Sequence, residues 1–160
     1  MTHPAPQRSR IFFAFYPSAD FVVDFEYKQN QGLDEQLVKR IVTVHLESEG
    51  YIVKCGERSQ RGPDVEAFSV GKPGLVIEAK GEGSKPGMFR NFFLAALGQI
   101  ILRMGHNDSS YIVALPCHEQ FVRLVRQVPL SVCRMLNLQF WLIEPTSGTR
   151  DYCIHAVQVI

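Results

Sequence analysis

Long hydrophobic runs, paired cysteines and an excess of one charge are all missing from this chain of 160 residues. The apolar run Ile11–Tyr16 has six residues, whereas a membrane helix needs about 18 to 20 and a signal peptide needs about 7 or more behind a positively charged start. We therefore expect a soluble, cytoplasmic protein. Lys and Arg number 17 against 16 Asp and Glu. This balance excludes a strongly basic, histone-like binder but allows a local basic groove.

Several common kinds of site are also missing. The four cysteines contain no CxxC pair, and the five histidines form no pair at metal-ligand spacing, so no zinc site is expected. In a reducing cytoplasm the cysteines should be buried thiols. The glycine-rich segment 81–88 carries Pro86 where a dinucleotide-binding loop needs its third glycine, and it is not a Walker loop. We therefore expect no nucleotide cofactor.

Hydrophobic periodicity and turn residues divide the chain into an N-terminal region and one domain. Residues 1–32 are interpreted as a loose tail with a Phe-rich arm, and residues 33–160 as a single domain. Spacing, short apolar runs and Gly or Pro breaks predict a helix over Leu33–Glu49, strands over 51–56, Pro63–Val70 and Leu75–Lys80, a loop over 81–88, a helix over Phe89–Met104, a strand over 109–116, one or two helices over Cys117–Met135, and strands over 138–145 and 152–160. This order predicts an α/β sandwich with a mixed sheet and helices on both faces.

Two predicted strands carry charged side chains that a hairpin would bring together. Because side chains alternate along a strand, Asp64 and Glu66 share one face, and Glu78 and Lys80 share one face of the next strand. A turn over 71–73 would place Asp64 opposite Lys80 and Glu66 opposite Glu78. Clustered carboxylates prefer a hard cation such as Mg²⁺, and a neighbouring lysine suits a phosphoryl oxygen or an attacking water. The alternatives are a structural salt bridge and, for Glu66, a solvated neighbour.

A family resemblance rests on the same residues. Pro63-Asp64, thirteen residues, and then Glu78-Ala79-Lys80 resemble the signature of the PD-(D/E)XK nuclease superfamily. The core of that superfamily is a helix, a three-stranded meander, a helix and a strand, which is the order predicted above over residues 33–116. The segment "VIEAKGEG…FLAALGQIILRM" is similar to Mrr-like and XisH-like members. The resemblance implies a restriction-endonuclease-like three-layer α/β/α sandwich with a central mixed β-sheet.

The resemblance also implies roles for individual residues. Asp64 and Glu78 would bind Mg²⁺, for which Mn²⁺ would substitute, and the backbone carbonyl of Ala79 would be a third ligand. Lys80 would position or activate water and offset charge in the transition state. Glu35 lies on the core side of the first helix by its spacing, and the family often uses a glutamate from this helix as an auxiliary metal or water ligand. A carboxylate favoured by the helix N-terminus is the alternative.

Polar residues near the proposed site complete the predicted set. Gln99 shares a helical stripe with Phe92, Ala96 and Arg103, so it is expected either to reach the Lys80 strand or a phosphate, or to be a satisfied core glutamine. Cationic side chains in the flanking loops and in the next helix are expected to contact DNA phosphates. These are Arg58, Arg61, Lys85 and Arg90, with Arg103 a further candidate. Ordinary solvated charges are the alternative for each.

The expected function is a metal-dependent DNA endonuclease that hydrolyses phosphodiester bonds. One alternative is a catalytically idle module of the same fold that serves DNA binding or assembly. Another is a junction resolvase or an RNA nuclease, and a homodimer with paired sites would indicate a resolvase. DNA is the expected partner, with Mg²⁺ as the cofactor. Shared fold alone does not establish activity.

Overall fold

Four helices and six strands alternate along the part of the chain that the structure describes. This computed structural model describes residues 32–56, 62–105, 109–145 and 152–157. The elements are α1 (Glu35–Ser48), β1 (Ile52–Cys55), β2 (Val65–Phe68), β3 (Gly74–Ala79), α2 (Pro86–Leu102), β4 (Ser109–Pro116), α3 (Glu119–Val125), α4 (Leu130–Met135), β5 (Leu138–Pro145) and β6 (Tyr152–Val157). The predicted order of helices and strands is confirmed. The arm predicted for residues 1–32 lies, except for Gly32, outside the described residues.

The six strands form one mixed sheet in the order β1-β2-β3-β4-β5-β6. β1, β2 and β3 form an antiparallel meander, β3, β4 and β5 are parallel, and β6 returns antiparallel to β5. β3 is buried from Leu75 to Ala79 and β4 from Ser110 to Pro116. Continuous burial on both faces is typical of central strands, and it explains why both segments are apolar without alternation.

Hydrophobic clusters cover the two faces of the sheet. α1 packs its buried side chains with Ile77 and Ala79 of β3 in one cluster. α2, α3 and α4 pack with Val76 of β3 in the other cluster. The chain is therefore mixed α/β, and the alternation of side chains along β3 directs neighbouring residues towards different helices.

The first helix begins at a clear capping residue. The side chain of Asp34 accepts a hydrogen bond from the Leu37 N–H at 2.8 Å, which satisfies one of the free donors of the first turn. The residues that α1 buries follow helical spacing. They are Val38, Lys39, Ile41, Val42 and Leu46. Gly50 follows with φ +82°, a conformation that favours glycine after a helix. Among the described residues, no helix is both long and apolar enough to cross a membrane.

The predicted register of the β2–β3 hairpin is wrong. Glu66 faces Val76, and Val65 faces Ile77, so Glu66 does not face Glu78. The turn is longer than predicted, and it contains Gly71 with φ +77° and Pro73, which has no N–H to donate to a ladder. The pairing is displaced by two positions, and an even displacement leaves each side chain on its predicted face.

The imidazole of His45 makes the stability of the fold depend on pH. Its ring contacts Trp141 edge-on at 5.6 Å between centroids, and burial lowers the pKa of His45 below its ordinary value of 6.5, against the opposing charge of Glu49. As the pH falls below that ordinary value, the unfolded chain takes up the proton before the folded chain does, so stability is lost.

We expect the melting temperature of the wild-type protein to fall more between about pH 7.5 and about pH 5.5 than that of His45→Gln. Thermal unfolding followed by circular dichroism at the two pH values measures this difference. Equal losses in the two proteins would contradict the assignment.

Candidate active site

Two glycines, one after β3 and one after β1, let neighbouring segments approach at distances that only glycine allows. An ideal Cβ on Gly81 would lie 2.5 Å from the backbone nitrogen of Glu35, and one on Gly56 would lie 2.2 Å from the carbonyl oxygen of Pro63. The Gly56 N–H donates to the carbonyl of Asp64 at 3.0 Å. The Gly81 contact brings the first turn of α1 to the end of β3, and the Gly56 contacts hold the Pro63-Asp64 segment against the end of β1.

Asp64 lies at a bend just before β2, and its carboxylate accepts from more than one element. Oδ2 accepts a hydrogen bond from the backbone N–H of Ala79 at 2.9 Å. Oδ1 accepts from Nζ of Lys39 at 3.1 Å, and Nζ of Lys80 lies 3.9 Å from Oδ2. The carboxylate therefore lies beside the peptide that joins Glu78 to Ala79.

Lys80 joins the end of β3 to the first turn of α1. Its backbone N–H donates to the carbonyl of Ala114 at 3.0 Å, which extends the pairing of β3 with β4 by one residue. Its Nζ lies 3.5 Å from Oε2 of Glu35. Three predicted site residues therefore lie together: Glu35, Asp64 and Lys80.

Lys39 is a site residue that the sequence analysis missed. It lies on α1, its side chain is 10% exposed, and it pairs with Asp64. Its sequence position indicated burial. Lys39 lies on one face of the helix with Glu35, Val42 and Leu46, because successive members of this set are three or four residues apart. A lysine on a buried stripe requires an anionic partner.

Glu78 has a different partner from the other acidic residues. Its side chain is 1% exposed, and its Oε1 forms an ion pair with Nη1 of Arg103. Arg103 caps the C-terminus of α2. Nη2 of Arg103 donates to the carbonyl of Gly62. Burial lowers the pKa of Arg103, while the charges of Asp64 and Glu66 act in the opposite direction. Arg103 therefore compensates a carboxylate that would be costly to bury alone.

Acidic and basic side chains balance at the end of β3. The acidic residues are Glu35, Asp64 and Glu78, and the basic residues are Lys39, Lys80 and Arg103. In the described ranges, no three His, Cys, Asp or Glu side chains gather as a metal ion would need. The oxygen donors of Asp64 and Glu78 suit Mg²⁺ in type. In this arrangement, however, each of the two carboxylates is paired with a basic side chain.

The remaining predicted residues lie around this centre or outside the described residues. Gln99 is exposed on α2, so it is not a core glutamine, and its contact with a phosphate stays a prediction. Glu66 pairs across the sheet with Lys54 of β1. Lys85 and Arg90 are exposed at the start of α2. Two predicted DNA contacts, Arg58 and Arg61, fall in the segment 57–61, which the structure does not describe.

Comparison with known protein families, with curated proteins and with solved structures finds no match to this chain. The geometry at the end of β3 and the sequence pattern are therefore the basis for a functional proposal.

We expect Gly81→Ala to destabilise the protein by about 1–3 kcal/mol, since the added methyl group would meet the backbone of Asp34 and Glu35. Gly98→Ala is the matched control, because nothing lies within 4 Å of its Cβ position, and on a helix it should add about 0.5–1 kcal/mol of stability. Urea unfolding measures both changes. A Gly81→Ala protein as stable as the wild type would contradict the close approach of α1 to β3.

We expect the Lys39–Asp64 pair to contribute a coupling energy of roughly 1–3 kcal/mol. A double-mutant cycle of Lys39→Met and Asp64→Asn, followed by urea unfolding, measures it. The control cycle uses Glu119 and Arg123, whose side chains are 74% and 69% exposed and whose coupling should be about 0.3–0.5 kcal/mol. Equal coupling in the two cycles would contradict the assignment of Lys39 to the site.

Proposed function

We propose that the chain is a metal-dependent DNA endonuclease with a restriction-endonuclease-like three-layer α/β/α sandwich. The observation that carries the proposal is the position of Asp64, whose carboxylate accepts the N–H of Ala79 between Glu78 and Lys80. The order α1-β1-β2-β3-α2-β4 with an antiparallel meander agrees with the superfamily pattern. Helix packing against both faces of the sheet supports the three-layer arrangement.

Asp64 and Glu78, with the carbonyl of Ala79, are the residues that would hold Mg²⁺ or Mn²⁺, and Glu35 would be auxiliary. The bound ion would lower the pKa of water and stabilise negative charge on the phosphodiester. Glu78 is the residue that must change its partner, because its carboxylate is paired with Arg103. Asp64 lies against the β3 backbone, where it accepts the N–H of Ala79.

Lys80 is the residue that would act on the attacking water. Its Nζ lies between Oε2 of Glu35 at 3.5 Å and Oδ2 of Asp64 at 3.9 Å. Two carboxylates hold the ammonium at the end of β3, where it can orient a water and offset charge on a phosphoryl oxygen. Lys39 fixes the other oxygen of Asp64 and so orients that carboxylate.

The proposed approach for DNA follows the loop between β3 and α2. Lys85 and Arg90 are exposed there and would bind phosphates as sequence-independent contacts. Gly83 has a Cβ position only 2.7 Å from Met88, so this loop keeps a compact backbone. Together these features would place a duplex across the carboxyl end of β3.

A second candidate function is a catalytically idle nuclease-fold module that binds DNA or assembles with partners. One specific observation favours it: the acidic residues at the end of β3 are paired with basic side chains of the same chain. A site with this charge balance can persist as a structural ion-pair network. Metal-dependent cleavage separates the two functions.

We expect the wild-type protein to nick supercoiled plasmid in the presence of Mg²⁺ or Mn²⁺, and we expect a chelator to abolish this nicking. Asp64→Asn and Lys80→Met should each lower the rate by about 100-fold or more, because they remove a metal ligand and the water-positioning ammonium. Glu119→Gln on α3 is the matched control, since it removes a carboxylate that is 74% exposed and pairs with Arg123 of the same helix.

Gel electrophoresis of the plasmid measures the rates, and circular dichroism checks that each variant is folded. A panel of duplex, flap, four-way junction and RNA substrates identifies the substrate class, and preference for a junction or for RNA would replace the DNA endonuclease assignment. Cleavage of none of them with either metal would contradict the enzyme and support the idle module.

A further inference from the structure

Arg103 pairs with the carboxylate that the proposed function assigns to a divalent cation. Its guanidinium pairs with Glu78 and also donates to the carbonyl of Gly62, the residue before Pro63-Asp64. It therefore links the start of the Asp64 segment to the acidic residue on β3. These are the two pieces of chain that a shared metal ion would also link.

Arg103 is better able to leave this position than Glu78. Its side chain is 25% exposed, whereas that of Glu78 is 1% exposed. Arg103 caps the end of α2, so its side chain can turn towards solvent without a change in the helix. A buried carboxylate on a central strand has no such freedom, and its ionised form is costly without a cation.

Lys39 and Lys80 are less suited to exchange with a metal. Their side chains are 10% and 11% exposed, and both contact Asp64 while Lys80 also contacts Glu35. Removing Arg103 from the charge balance leaves three acidic residues against two basic ones at the end of β3. This change creates the net negative charge that a divalent ion requires.

We propose that Arg103 is an internal counter-ion for Glu78 and that a divalent metal ion displaces it when the ion binds. This inference rests on the proposed function, because it takes Glu78 to be a metal ligand. It assigns Arg103 a positioning role: the guanidinium keeps the buried carboxylate compensated and in place until the metal arrives. The protein then binds metal more weakly, because the ion must break the pair between Arg103 and Glu78.

The first test is calorimetric titration of Mn²⁺ into the purified protein without DNA. Arg103→Gln should bind Mn²⁺ about tenfold or more tightly than the wild type, since the metal no longer has to break an ion pair whose coupling is of roughly that size. Arg103→Lys keeps the charge but cannot contact Glu78 and Gly62 through two separate nitrogens. Its Mn²⁺ affinity should lie between those of the wild type and Arg103→Gln. Arg134→Gln is the matched control, because it removes an exposed arginine of α4, and its affinity should equal that of the wild type.

The second test uses the wild-type protein, so it does not depend on whether Arg103→Gln folds. The guanidinium resonances of Arg103 in ¹⁵N-labelled protein, assigned by their absence from Arg103→Lys, should move on addition of Mg²⁺ towards those of solvent-exposed arginines. If Mg²⁺ binds and these resonances stay unchanged, the displacement is wrong.

The outcomes separate this inference from the proposed function. Equal Mn²⁺ affinity for the wild type and Arg103→Gln, with Asp64→Asn unable to bind, would overturn the role of Arg103 and leave the metal site intact. A lower melting temperature of Arg103→Gln without a change in affinity would identify a purely structural ion pair. Absence of Mn²⁺ binding to the wild type and to Arg103→Gln would overturn both the inference and the proposed function.

Discussion

Charge compensation at the carboxyl end of β3 is the constraint on which the local structure depends. Glu78 is buried on a central strand, and an ionised carboxylate there is costly without a cation beside it. Arg103 of α2 supplies that cation, while Lys39 of α1 and Lys80 do so for Asp64. Helices from both faces of the sheet are thereby tied to the same strand end.

Backbone geometry makes this concentration of charge possible. β2 and β3 are antiparallel, so the residue before β2 lies beside the residue that ends β3. Gly56 and Gly81 let the neighbouring segments approach without a side chain between them. The hydrogen bond from Ala79 to Asp64 then fixes the carboxylate against β3. Binding of a divalent ion distinguishes the proposed hydrolytic centre from an ion-pair network that is only structural.

Local patterns in the sequence predicted the elements, but not how they meet. Helical spacing predicted α1, and a continuous apolar run predicted β3, because each pattern depends only on residues within one element. The hairpin register was wrong by two positions, since alternation fixes the face of a side chain but not the length of a turn. Lys39 lies on α1 and Arg103 directly follows α2. Helical periodicity indicates that Lys39 is buried, but it does not measure the distance from either residue to a strand end. For the same reason the pairing of Glu78 with Arg103 had no local signal.

The most direct test of the central claim is anomalous diffraction from crystals of the protein soaked in Mn²⁺. The account predicts one strong peak within coordination distance of the carboxylates of Asp64 and Glu78, with Arg103 turned away from Glu78. A structure without a peak at that position, in which Arg103 still pairs with Glu78 at saturating Mn²⁺, would contradict the account.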